Sequence, residues 1–339
     1  MSPTLEEVAR LAGVSRSTVS RVINDQPNVR PATREHVRQA ILESGYRPHA
    51  VARSLVTQRT NIIGIAVQES VSTLFTDPFF APLLRGATAA CNEHKYQLML
   101  SLFPARSGQR EVYQNVFRNG YLDGVVVAST SFDSPLIHQL LQDGIPTVSV
   151  GRHRDPRVHY VDVDNLGGAR MAVEHLIKLG HTRIGTIAGR LDMAHSHQRL
   201  AGYKRALLAH GLDVTEELIC EGDYTESSGM TCMRQLLRAN PTAVFAASDA
   251  MAIGALKVLR EACIQVPDDM ALVGFDNIPI AGVIQPPLTT VRQPIEQLGA
   301  VAVDYLVTLL ERPHEVDRAM QKLVLPTELA VRRSCGAHQ

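Results

Sequence analysis

Arg16 and Ser17 have the chemistry and the placement to read DNA. A guanidinium presents a fork of donors that matches O6 and N7 on a guanine edge. Both residues fall at the start of a candidate helix, the end from which a recognition helix meets base edges. Ser20 and Arg21 on the same helix are not needed for packing, and Thr18, Ser20 and Asn24 suit phosphate oxygens. Taken singly, each could be an ordinary solvated side chain. The surrounding caps, turn and charge favour the DNA reading for the segment as a whole.

Three helices are expected to position these residues. Thr4-Leu-Glu-Glu7 is a capping box, followed by Leu5, Val8, Ala9 and Ala12 at helical spacing and a stop at Gly13. Ser15 can cap a second helix reaching about Ile23, with Val19, Val22 and Ile23 inward. So short a connection containing a glycine marks a helix-turn-helix. A third helix is expected from about Thr33 to Ser44, burying Val37, Ala40, Ile41 and Leu42. The charge agrees. Residues 1–60 hold nine Arg, no Lys and five acidic groups, a balance of +4, whereas the other 279 residues hold 25 basic and 29 acidic groups, a balance of −4. A basic head on a mildly acidic body points to a polyanionic partner.

From Asn61 the pattern changes to short apolar runs alternating with helical stretches. IIGIAV (62–67), QLMLSLF (97–103), GVVVAS (124–129) and TVSVG (147–151) form one series. RIGTIAG (183–189), LICEGD (218–223), AVFAAS (243–248) and MALVGF (270–275) form a second. Apolar strands separated by helices imply parallel sheets covered on both faces. Two sets of four predict two doubly wound lobes, divided near 157–165. The chain is expected to cross back near Thr290 and again near 323, carrying LVLP (323–326) into the second lobe. Ligands of open α/β sheets sit beyond the carboxyl ends of the strands. The search therefore narrows to Asp77–Phe80, Ser129–Ser131 and Gly151-Arg152 in the first lobe, and to Gly189-Arg190, Asp223-Tyr224, Ser248-Asp249 and Asp276-Asn277 in the second. Asp249 is also placed to cap the helix that follows it.

Other function classes are poorly supported. Thirteen histidines occur, but no zinc-protease, serine-hydrolase or Walker motif accompanies them, so no catalytic residue is expected. His195 and His197, two apart, do not face each other on a helix and read as surface residues before one. Five cysteines at irregular spacing, with no C-x-x-C pair, suggest reduced thiols rather than disulfides or zinc. Neither metal nor cofactor is expected. There is no apolar run long enough for a membrane span and no signal-peptide core, so a cytoplasmic protein is expected.

The stretch LEEVARLAGVSRSTVSRVINDQPNVRPATREHVRQAILESGYRPHAVARSL resembles the head of lac repressor family regulators, and PLTTVRQP, LGHTRIG, QRLAGY, SDAMAIGAL and VGFDN resemble that family's core, which is similar to periplasmic sugar-binding proteins. The resemblance implies an all-α helix-turn-helix head (1–46), a hinge helix and linker (47–60) and an α/β core of two doubly wound lobes (61–335). The first lobe would comprise about 61–160 plus 291–322, the second about 161–290 plus 323–335. Arg16, Ser17 and Arg21 fall on base-contacting positions. Thr4, Ser15, Thr18, Ser20, Asn24, Asn28 and Tyr46 complete the head's DNA-facing set, with His49, Ala52, Arg53 and Leu55 in the hinge. Leu55 matches a leucine that wedges into the minor groove and kinks the duplex. At His49 the family often has asparagine.

In the core, Arg199 matches an arginine that holds effector hydroxyls or acidic groups, Asp276 an aspartate that receives hydroxyls or ring donors, and Tyr224 an aromatic that stacks on the ligand. Phe79, Phe80, Ser129, Arg152 and Asp249 fall at or near further contact positions. Carboxylate and guanidinium groups bond paired hydroxyls well. With no tryptophan in the chain, Tyr224, Phe79 and Phe80 would supply the platform for a pyranose face. The implied protein is a ligand-responsive repressor that binds a palindromic operator as a homodimer. A sugar effector comes first, with a purine or other small corepressor second and a plain small-molecule binding protein third. No leucine heptad follows Arg312, so a dimer is favoured over a tetramer.

Overall fold

The computed structural model describes residues 3–23, 26–46, 59–102, 109–118, 120–128, 131–312 and 322–337. The chain divides into two compact units, Met1–Thr60 and Asn61–Gln339. Asn24, His49, Ala52, Arg53, Leu55 and Ser129 lie outside the described residues.

The head contains α1 (Leu5–Leu11), α2 (Arg16–Ile23) and α3 (Pro31–Ser44). The capping box forms: the Glu7 amide donates to Thr4 Oγ1 at 3.3 Å, and the Thr4 amide donates to the Glu7 carboxylate at 2.8 Å. Gly13, at φ +60°, adopts the left-handed turn that a Cβ would strain. Val8, Ala9, Ala12, Val19, Val22, Val37 and Ala40 meet in a small core. Two expectations are corrected. The third helix starts at Pro31, whose fixed φ suits a first helical position. Leu42 points outward, 75% exposed, because Val37, Ala40 and Ile41 already occupy the inward stripe.

The core opens with β1 (Ile62–Val67), α4 (Val71–Thr76), α5 (Phe80–Glu93), β2 (Gln97–Leu102), α6 (Gln109–Val116), β3 (Gly124–Ala128), α7 (Pro135–Gln142), β4 (Thr147–Val150) and β5 (His159–Val163). It continues with α8 (Asn165–Lys178), β6 (Ile184–Ala188), α9 (Ala194–Ala209), β7 (Ile219–Glu221), α10 (Glu226–Leu236), β8 (Ala243–Ala246), α11 (Asp249–Glu261), β9 (Ala271–Asp276) and β10 (Thr289–Arg292). It closes with α12 (Ile295–Glu311), β11 (Lys322–Leu325) and β12 (Glu328–Ala330).

Among the described residues two six-stranded sheets form, ordered β11-β5-β4-β3-β1-β2 and β12-β10-β9-β8-β6-β7. All pairs are parallel except β10 with β12. Separate apolar clusters cover the two faces of each sheet.

The 323–326 segment does not join the second lobe. β11 pairs in parallel with β5 of the first, Leu323 against Val161 and Leu325 against Val163. Pro326 and Thr327 form the crossing, and β12 is the piece that reaches the second sheet. A strand that closes one edge must be spent before the chain can leave, so the crossing falls after the apolar run rather than before it. The other crossings lie between β5 and α8 and between β10 and α12.

Helix α12 crosses α5 at reciprocal glycines. A Cβ on Gly86 would lie 1.8 Å from the Glu296 carbonyl oxygen, and one on Gly299 would lie 2.1 Å from that of Leu83. The two backbones therefore touch where any side chain would hold them apart. Gly86→Val is expected to destabilise the core by roughly 1–3 kcal/mol, read as a lower urea midpoint for the purified chain. An unchanged midpoint would contradict this packing.

Candidate functional site

The carboxyl ends of both sheets border one cavity of about 270 Å³. Glu69 and Asp77 follow β1, Gly151 and Arg152 follow β4, and Asn165 follows β5. Arg190, Tyr224, Ser248, Asp276 and Gln293 come from the ends of the second-lobe strands. The lobes also touch directly: the Phe132 amide donates to the Asp192 carbonyl at 2.9 Å, and Arg190 Nη1 approaches Glu69 Oε1 at 3.4 Å.

Arg199 and Asp276 form the centre. Arg199 projects from the second turn of α9 and is 5% exposed. Its Nε donates to Asn165 Oδ1 at 2.9 Å, and Nη1 donates to the Ala247 carbonyl at 2.5 Å and to Asp276 Oδ1 at 3.4 Å. Its guanidinium lies 3.7 Å above the Phe275 ring centroid. Asp276 closes β9 with φ +115°, a conformation that L-residues rarely adopt. Its Oδ1 also accepts from Gln293 Nε2 at 2.6 Å. Burial pushes its carboxyl up to about 7, against the pull of Arg199. Burial likewise raises Asp77 above the ordinary carboxylate range, although Asp77 Oδ1 accepts from the Phe79 amide.

Tyr224 is held on three sides. Its backbone has φ +71°. Its hydroxyl bonds Ser196 Oγ at 2.6 Å, and its ring lies 5.3 Å from that of His195. It crosses the end of β6 at Gly189, where a Cβ would sit 2.1 Å from the Tyr224 hydroxyl oxygen. Phe79 and Phe80 line the first-lobe wall with an edge-on contact at 5.6 Å between centroids. Arg152 Nε donates to Asp162 Oδ2 at 3.2 Å beside them.

Among the expected effector residues, Phe79, Phe80, Arg152, Arg199, Tyr224 and Asp276 line the cavity. Asp249 does not. Its carboxylate is fully buried behind the wall, accepting from Thr290 Oγ1 at 2.5 Å and from the Ile278 amide at 2.9 Å. The cap of α11 is Ser248, whose hydroxyl accepts from the Met251 amide, so Asp249 is a strut between strands. His195 is also corrected. It lies in the first turn of α9, half-buried on the cavity wall, and burial pushes it down to about 3, which keeps the ring neutral. The helix begins at Ala194, ahead of both histidines, and Met193, its N-cap, supplies no side-chain cap to mark the start. His197 is exposed as expected. Asn165, Gln293 and Glu69 also line the cavity without a sequence signal of their own, whereas Arg190 stands at a strand end the sequence had singled out.

Asp133, His138 and His153 bring metal-ligating atoms within 4.8 Å of one another. His138 is already bonded to Asp133 at 2.7 Å, and the amides of Ser134 and Asp155 face the two ring nitrogens of His153. The group braces the loops at the mouth of the first lobe.

In the head, Arg16, Ser17 and Arg21 are exposed on α2. Arg16 pairs with Glu6 at 2.9 Å, both side chains open to solvent. Ser15 caps α2, its hydroxyl accepting from the Thr18 amide at 3.2 Å and lying 2.8 Å from Ser17 Oγ. Thr4 serves α1 in the same way. Asn28 is exposed in the turn before α3, while Ser20 and Tyr46 are half-buried.

A helix-turn-helix head joined to a two-lobed core with a polar cleft defines a ligand-binding DNA-binding regulator. The comparisons agree for both parts. Residues 4–49 match the lacI family of bacterial regulatory proteins, and residues 173–335 match a periplasmic binding protein-like domain. The chain is 44% identical over 338 residues to the HTH-type transcriptional regulator CelR of Thermobifida fusca, covering 98% of each chain. Its structure is similar to that of a transcriptional regulator CelR–cellobiose complex, with a TM-score of 0.77 and 43% identity over 98% of this chain and 99% of the other. It is also similar to a lac repressor dimer bound to operator and the anti-inducer ONPF, with a TM-score of 0.84 and 28% identity over 99% and 100%. The chain belongs to the lacI family and is a transcriptional regulator.

Proposed function

We propose that this regulator is a repressor that binds a palindromic operator as a homodimer and is controlled by a neutral sugar, of which cellobiose is the first candidate. The carrying observation is the Arg199–Asp276–Gln293 arrangement, which offers acceptors and donors at one floor of a cavity whose walls carry Tyr224, Phe79 and Phe80. Paired hydroxyls satisfy such a floor, and aromatic faces take the apolar side of a sugar ring. The likeness to the CelR–cellobiose complex supports the choice. In the head, Arg16, Ser17 and Arg21 read bases, and Thr4, Ser15, Thr18 and Asn28 stand at phosphates. A second copy supplies the matching half-site. In the hinge, His49, Ala52, Arg53 and Leu55 complete the contact, as the family resemblance implies. The regulator works in the cytoplasm without catalysing a reaction. Among the described residues no helix is long and apolar enough to cross a membrane.

The effector changes operator affinity only by its differential affinity for the two conformations of the regulator. A gel shift on an inverted-repeat duplex, with and without cellobiose, tests the reading. A sugar-dependent change in retardation supports it, and retardation indifferent to sugars and nucleobases alike would overturn the effector assignment.

Asp276 adds a pH signature. A hydroxyl donates more strongly to the ionised carboxylate than to the protonated acid, so affinity for a neutral sugar should fall as pH drops through the Asp276 value of about 7. Calorimetric titrations are expected to show about tenfold weaker binding at pH 6 than at pH 8; equal affinity would remove Asp276 from the contact. DNA binding should instead respond steeply to salt, log K falling by roughly 0.9 per neutralised phosphate against log salt. A flat response would rule out contact dominated by the phosphate backbone.

A further inference from the structure

We infer that the cavity is selective for the free, uncharged sugar and rejects the same sugar once it carries a phosphoryl group. This rests on reading the cavity as the effector site.

Among the described residues, every guanidinium on the cavity wall is already matched. Arg152 pairs with Asp162. Arg190 pairs with Asp192 at 2.7 Å and with Glu69 at 3.4 Å across the lobes. Arg199 divides its donors among Asn165, the Ala247 carbonyl and Asp276. Against these three cations the wall carries five carboxyl groups: Glu69, Asp77, Asp162, Asp223 and Asp276. Burial raises the proton affinity of Asp77, Asp162 and Asp276 and so softens the excess, whereas at Asp223 burial is outweighed by hydrogen bonds from Thr225 and Ser228, which hold that carboxyl below its ordinary range.

The helices that begin at the cavity offer little compensation. Asp164 caps α8, Thr225 caps α10 and Ser248 caps α11, each accepting from an amide of the first turn. The starts of α5, α9 and α12, which also border the cavity, lack a side-chain cap. A helix N-terminus is worth about half a unit of positive charge, whereas a phosphoryl group brings about −1.5 to −2. Such a group would have to break an existing ion pair or stand unpaired among carboxylates. A hydroxyl has neither problem, because it can donate to Asp276 and accept from Gln293 or Arg199.

The sensed pool follows from this chemistry. A hydrolysis that releases sugar from a glycan, or an import that leaves it unmodified, supplies the signal. A reaction that transfers a phosphoryl group to the sugar ends it.

Titrating the purified full-length chain with cellobiose and with cellobiose 6′-phosphate separates the outcomes. The phosphorylated sugar is expected to bind at least about thirtyfold more weakly, the factor one unmatched charge imposes at roughly 8 Å and an effective dielectric constant of about 20. Glu69→Gln, which leaves Arg190 with one carboxylate fewer, should narrow that gap. Equal or tighter binding of the phosphorylated form overturns the selectivity and leaves the sugar site standing. Binding of neither compound, nor of other neutral sugars, overturns both.

Discussion

An Asp276→Ala variant is expected to bind operator like the parent chain and to ignore the effector. Asp276 is the carboxylate at the floor of the cavity, bonded to Gln293 and facing Arg199. Removing a charged hydrogen-bond partner of the ligand costs roughly 1.5–3 kcal/mol, about ten- to a hundredfold in affinity. The fold should tolerate the loss. Burial disfavours the Asp276 charge, and Arg199 keeps Asn165, the Ala247 carbonyl and the Phe275 ring. Calorimetry with the sugar and a gel shift without it report the two halves separately. A retained sugar response would displace Asp276 from the site, and a loss of DNA binding would assign it a structural role instead.

Arg21→Ala is expected to produce the opposite split. The side chain is exposed on α2, so its removal leaves the head core of Val8, Val19, Val22 and Val37 untouched. An arginine bidentate to guanine contributes about 1–3 kcal/mol of discrimination, and the two-fold operator counts it twice. Specific binding should drop by roughly thirtyfold to more than ten-thousandfold, with sugar affinity unchanged. A fluorescence titration against matched and scrambled duplexes checks this. Weakening equal on both duplexes would make Arg21 a phosphate contact.

The head was legible because each local signal had one physical meaning. Thr4 and Glu7 cap each other, Gly13 takes the left-handed turn, and Ser15 restarts the helix. The apolar strands of the core declared themselves by continuous burial, as in β3, where every position is buried. β5, β11 and β12 were harder to read. β5 mixes His159, Tyr160 and Asp162 with only two valines, and β11 and β12 close sheet edges, where no side chain is fully buried.

The cavity followed the same division. Strand-end placement located Arg152, Tyr224 and Asp276. Asn165 and Gln293 lie at lobe crossings, where only the fold brings them to Arg199 and Asp276. Asp249 was over-read because its position beside the cavity is real, yet its side chain turns to Thr290 and Ile278. His195 was under-read because the missing cap hid the first turn of α9.

The most direct test is an anisotropy titration of a labelled inverted-repeat duplex with the purified chain, with and without saturating cellobiose. The account predicts tight, salt-sensitive binding that exceeds binding to a scrambled duplex by at least about a thousandfold and that shifts by fivefold or more when the sugar is present. Indistinguishable affinity for the two duplexes, unmoved by any neutral sugar, would contradict it.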